Sequence, residues 1–98
     1  MDVRFDNRDL DRLEIDAKYS AGFSDAIVKA FRKRVQMIQA AANEMDFYQL
    51  RSLRFERLKG KREHQYSMRL NDQWRLILEF EEQSQKKTVV IKGIEDYH

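Results

Sequence analysis

Ninety-eight residues suffice for one modest core, and the charged (37%) and apolar (42%) fractions suit a folded domain rather than a disordered chain. No cysteine is present and only two histidines, His64 and His98, so a disulfide framework is excluded and no metal or cofactor is expected. The net charge of +2 hides an asymmetry: residues 1–25 carry seven acids and four bases (net −3), residues 51–75 eight bases and three acids (net +5).

Val3 to Phe5 reads as a short strand. Asp6 or Asn7 can cap a helix with Asp9 in its first turn and Leu10, Leu13 and Ala17 on one face, ending near Tyr19 to Gly22. Ser24 caps the clearest helix, where Ile27, Phe31, Val35, Ile38 and Ala42 recur at helical spacing. Lys29, Arg32, Lys33 and Arg34 lie mostly off that stripe and read as a solvated face. A short helical piece follows from Met45 to Leu50. Residues 51–58 read as a mostly irregular connector anchored by Leu53, Phe55 and Leu58, and Gly60 marks a turn.

A hairpin comes next. Tyr66, Met68 and Leu70 alternate on one strand, and Trp74, Leu76, Leu78 and Phe80 on the other. Both sets reach one core only if the turn is odd in length, and the three-residue loop Asn71-Asp72-Gln73 achieves this. Tyr66 then faces Leu78, Met68 faces Leu76, and Leu70 faces Trp74. Apolar residues at 76, 77 and 78 in succession mark the second strand as central. Glu81 to Lys87 reads as a polar turn and Thr88 to Ile91 as a further strand. Gly93 suggests a bulge that redirects the tail Ile94-Glu95-Asp96-Tyr97-His98. The expected architecture is a single α+β domain over residues 1–98, with two N-terminal helices packed on a small antiparallel sheet.

The hairpin register sets Arg69 directly opposite Arg75 on the face away from that core. Like charges so placed repel. Either a polyanion such as RNA phosphate binds between the guanidinium groups, or each arginine pairs with Glu79 or another carboxylate. Positive charge gathered in one segment is the footprint of a phosphate-bearing partner, although a charge run is more often a solvated face. RNA is cut without a metal when its own 2′-OH attacks the adjacent phosphate. That reaction needs a proton acceptor, a proton donor and cations around the developing charge. Arg69, Arg75, Lys59, Lys61, Arg62 and His98 supply such an inventory, against which terminal residues such as His98 often fray. His64, in a polar loop, reads as merely exposed. No apolar run approaches a membrane span and the N-terminus does not resemble a signal peptide, so the expected address is the cytoplasm.

Leu58-Lys59-Gly60, the run Tyr66 to Arg75 with its Arg69-x-Asn71-x-x-Trp74-Arg75 pattern, and the terminal Asp96-Tyr97-His98 together resemble the HigB (host inhibition of growth) toxins of the RelE/ParE superfamily. The resemblance implies a compact fold of two helices against an antiparallel sheet, and metal-independent, ribosome-dependent cleavage of mRNA. It implies that Arg75 stabilises the scissile phosphate and that His98, Tyr97 and Asp96 form a catalytic end. Lys59 would add positive charge near the phosphate and Arg69 a second contact to it, while Lys61 and Arg62 are candidate RNA or phosphate contacts from the charge of their segment alone. Some members carry histidine three residues before the matching lysine, where this chain has Glu56. Also implied is a helix-turn-helix, HigA-like antitoxin, with operator DNA contacted only through it. The alternatives are a non-enzymatic, ParE-like inhibitor of gyrase and an RNA- or partner-binding module without activity.

Overall fold

The computed structural model describes residues 1–96. Strand β1 (Asp2–Phe5) leads into helices α1 (Arg8–Ile15), α2 (Asp25–Ala40) and the short α3 (Met45–Gln49). Strands β2 (Glu56–Arg57), β3 (Tyr66–Arg69), β4 (Trp74–Gln83) and β5 (Lys86–Asp96) complete a five-stranded sheet ordered β1-β5-β4-β3-β2. The α+β class expected from the sequence is the one found. The sheet departs from it in one respect: β1 runs parallel to β5, with Asp2 beside Thr88 and Phe5 beside Ile91. The helices therefore cross from one edge of the sheet to the other, packed on one of its faces as expected.

Both helices start where the caps predict. The Asn7 side chain accepts from Leu10 N–H and the Ser24 hydroxyl from Ile27 N–H. They end earlier than the apolar spacing suggests. Asp16 leaves the helical conformation (φ −98°, ψ 106°) and its carboxylate accepts from Lys18 N–H, so α1 stops at Ile15 and Ala17 is exposed. That hydrogen bond, with one from Arg12, holds the Asp16 carboxyl below its usual range. Ala41 is extended, which leaves Ala42 exposed beyond α2. Nor is the basic side of α2 uniformly solvated. Arg32 donates to the carbonyls of Leu13 (3.0 Å) and Asp16 (2.8 Å), closing the C-terminal end of α1. Arg34 donates to the Arg69 carbonyl at 3.0 Å.

The core lies between the helices and one sheet face. Phe31, Val35 and Ile38 of α2 meet Met68, Leu76, Leu78, Val89 and Ile91, all buried, with Leu53 and Phe55 anchoring the connector as expected. The hairpin register is the one read from alternation: Tyr66 pairs with Leu78, Met68 with Leu76 and Arg69 with Arg75. At its tip the Asn71 carbonyl oxygen of the side chain accepts from the N–H groups of Gln73 and Trp74. β4 is central and longer than expected. Instead of a polar turn over 81–87, β4 and β5 continue to a two-residue tip, Ser84-Gln85, with φ of 50° and 67°. Positive φ at both positions matches the twist that tight hairpins need.

A bulge near Gly93 occurs as expected, but its effect differs. Leu78 pairs with Ile91 and Ile77 with Gly93, leaving Lys92 as the extra residue. Through Asp96 the chain is not turned off the sheet, since β5 stays paired up to Asp96 opposite Trp74; the rest of the expected tail lies outside the described residues. What the bulge changes is parity. It brings Ile94 opposite Leu76, against the core, and Glu95 opposite Arg75, on the far face. Among the described residues, no helix is long and apolar enough to cross a membrane.

Candidate active site

The far face of the sheet carries two cross-strand rows. Glu56, Ser67, Ile77 and Gly93 form one, and Arg69, Arg75 and Glu95 the other. Arg75 sits on the central strand and is only 5% exposed. Its Nη2 donates to the hydroxyl of buried Ser67 at 2.8 Å and to the Arg54 carbonyl at 2.5 Å. Arg54 presents that carbonyl from a left-handed conformation (φ 46°) at the end of a 3₁₀ turn over Arg51–Leu53. A non-glycine residue there carries strain of order 1 kcal/mol, of the kind that collects at functional sites. Glu56 Oε1 lies 3.7 Å from the same Nη2, and its side chain is about half exposed. Burial strips a guanidinium of water, so these acceptors fix both its position and its charge.

A cleft of about 260 Å³ opens beside it, lined by Leu58, Arg62, Ser67, Arg75, Glu95 and Asp96. A single 3₁₀ turn, Gly60–Arg62, starts from Gly60 at φ +69° and brings Arg62 over this cleft. Arg62 then forms a two-pronged ion pair with Glu95, at 2.9 Å and 2.7 Å, and its Nε donates to Gln65. The Glu95 hydrogen bonds push the Arg62 pKa above its usual value. Lys59 and Lys61 flank it, both exposed.

Residues 3–98 match the family described as RelE-like toxins of type II toxin–antitoxin systems, HigB. The chain belongs to the HigB-like toxin family. A YoeB/ParE toxin from Agrobacterium tumefaciens has the same fold, with a TM-score of 0.61 and 12% identity over 100% of both chains. At that identity the likeness speaks to the fold alone. No curated protein matches. Membership makes this a toxin of a type II toxin–antitoxin module and implies an antitoxin partner.

In this HigB-like chain the opposed arginines are each matched by a carboxylate, as one of the two readings held, but neither uses Glu79. Arg69 is half-buried and pairs with Asp72 across the hairpin turn, and Arg75 has Glu56. The Arg69 hydrogen bond holds the Asp72 carboxyl below its usual range. Burial, then proximity to Arg69, lowers the Arg34 pKa. Glu79 instead accepts from Gln65 and lies 3.6 Å from exposed His64 and 3.9 Å from Lys92.

Asp96, at the cleft's edge, accepts from the Gln73 side chain at 3.2 Å. Tyr97 and His98 lie outside the described residues. Of the residues expected from sequence, Arg62, Arg75 and Asp96 therefore meet at one cleft and Arg69 lies beside Arg75, while Lys59 and Lys61 are exposed neighbours of Arg62 in the chain and do not line it. Sequence reasoning missed Ser67, the Arg54 carbonyl and Glu95. Ser67 was within reach, because alternation along β3 puts it on the Arg69 face. Among the described residues, no three His, Asp or Glu side chains cluster as a metal site requires.

Proposed function

We propose that this toxin cleaves mRNA on the ribosome, in the cytoplasm, by attack of a ribose 2′-OH on its own 3′-phosphate. The O2′–P bond forms and the P–O5′ bond breaks, leaving a 2′,3′-cyclic phosphate and a 5′-OH. Negative charge grows on the non-bridging oxygens along the way. A cation held in place before the reaction stabilises that charge without reorganising. The supporting observation is Arg75, a buried guanidinium fixed by Ser67 and the Arg54 carbonyl in the wall of a cleft.

Glu56, half exposed beside Arg75, is the proton acceptor for the 2′-OH in this reading. It stands where some family members carry histidine, and a carboxylate performs the same task. His98 donates the proton to O5′, with Tyr97 and Asp96 orienting it; these three roles rest on the motif. Lys59 and Lys61 hold phosphates, and Arg69 supports the field around the site. The antitoxin is a HigA-like helix-turn-helix protein, through which alone the toxin reaches operator DNA.

Toeprinting of an mRNA on ribosomes, beside a gyrase supercoiling assay, tests the proposal. Breaks within the decoded region that need both ribosome and toxin support it. Uncut mRNA with inhibited gyrase replaces it with the ParE-like reading.

A further inference from the structure

Glu95 owes its place to the bulge: were Lys92 paired opposite Ile77, Glu95 would fall opposite Trp74 and its carboxylate would face the core. Instead it lies directly across from Arg75, in the wall of the cleft, and both its oxygens are held by the fork of Arg62. A carboxylate gripped by two parallel N–H groups occupies the geometry in which a guanidinium grips a phosphate. The pair is built from two half-exposed side chains, with relative exposures of 45% and 47%. Such pairs are worth little in water, so a polyanion can displace the carboxylate at small cost.

We propose that Glu95 is a placeholder for an RNA phosphate: in the free toxin it holds Arg62 over the cleft, and bound RNA takes its place. Arg62 then becomes the second cation at the phosphate held near Arg75. Glu95 is thus a positioning residue that lowers affinity for RNA while keeping Arg62 aimed into the site. This rests on the reading of the cleft as an RNA-binding active site. It goes further in naming an internal competitor.

The fork keeps Arg62 neutralised in the free protein, so removing Glu95 releases a cation without adding one. Binding of a short single-stranded RNA with 2′-O-methyl riboses, which has no 2′-OH to attack, measures this over a salt series. Glu95→Gln is expected to tighten binding by roughly two- to fivefold, the scale of one exposed pair. It should also steepen the dependence of log K on log salt by up to about 0.7, because in the wild type the displaced Glu95 carboxylate takes up a cation that offsets one released from the RNA phosphate. Simple loss of a negative charge near a polyanion would also tighten binding, so the same change is made in an Arg62→Ala background. There the gain and the added slope are expected to vanish. A gain that persists without Arg62, or no gain at all, overturns the proposal. Glu95→Ala, measured beside Gln, guards against a new hydrogen bond from the amide and should behave alike. Ribosomal mRNA cleavage by the unaltered toxin is scored separately. Intact cleavage with no Arg62-dependent gain removes the placeholder role alone, whereas absent cleavage removes the active-site reading beneath it.

Discussion

Replacing Arg75 with alanine tests the structural and the catalytic roles of one side chain at once. Two hydrogen bonds disappear, to Ser67 Oγ and the Arg54 carbonyl, and buried Ser67 loses its charged donor. Leaving a buried polar group so exposed costs about 1–3 kcal/mol. Relief of the repulsion from Arg69 across the strand pair returns some tenths to about 1 kcal/mol. The net is a destabilisation of about 1–2 kcal/mol, which lowers Tm by roughly 5–15 °C in a domain of this size. From like-charge repulsion alone the opposite sign would follow. Cleavage should fall by roughly two to three orders of magnitude, the loss typical of one preorganised charge stabiliser. Arg75→Lys keeps the charge but not the fork, and should fall between. The assay is ribosomal mRNA cleavage, run well below the Tm of the variant, with thermal unfolding followed in parallel. Wild-type cleavage by folded Arg75→Ala refutes the catalytic role, and an unchanged Tm refutes the anchoring.

Glu56→Gln should reduce cleavage at least about tenfold, the low end for losing a general base being roughly a hundredfold with partial rescue by solvent, whereas Glu56→His should retain most of it; equal activity of all three would exclude Glu56 as the proton acceptor. His98→Gln should abolish cleavage, and undiminished cutting by a variant whose Tm matches the wild type would remove His98 from the mechanism. Neutralising Lys59 and Lys61 together should flatten the salt dependence of ribosome affinity while leaving Tm in place; an unaltered slope would return both to solvated surface. Asp16 and Asp72 have lowered folded-state pKa values, so the stability they confer is present above the ordinary carboxylate range and is lost as pH falls below it. Asp72 is exposed and Asp16 partly so, and acid titrations of stability for Asp16→Asn and Asp72→Asn at low and high salt should show that contribution screened by salt, more fully at Asp72.

The β3–β4 hairpin was legible because its information is local. Period-two alternation and an odd turn leave one register that buries both apolar sets, and Arg69 opposite Arg75 follows. The two helices were legible from caps and periodicity, though not where Asp16 and Ala41 ended them. What stayed hidden depends on distant partners. Nothing in Val3 to Phe5 says that the strand lies parallel to a segment some eighty residues later. Ser84-Gln85 carries no Asn-Gly or Asp-Gly signal, so the tight tip looked like a longer polar loop. The acceptors of Arg32, Arg34 and Arg75 include main-chain carbonyls, which leave no mark in a sequence. Glu95 could be placed on the Arg75 face only by knowing the β4–β5 register, which the unforeseen Ser84-Gln85 tip sets, together with one bulged residue near Gly93. Asp96 and Lys59 were carried by the motif, and Lys61 and Arg62 by the positive charge of their segment.

The central claim is that the 2′-OH of mRNA is the nucleophile at the Arg75 cleft. Once cut sites are mapped on ribosomes, the ribose on the 5′ side of one cut is replaced by 2′-deoxyribose and the wild-type toxin is added again. Cleavage should disappear at that position, persist at the others, and leave 2′,3′-cyclic phosphate ends there. Continued cutting at the deoxy position would contradict the mechanism.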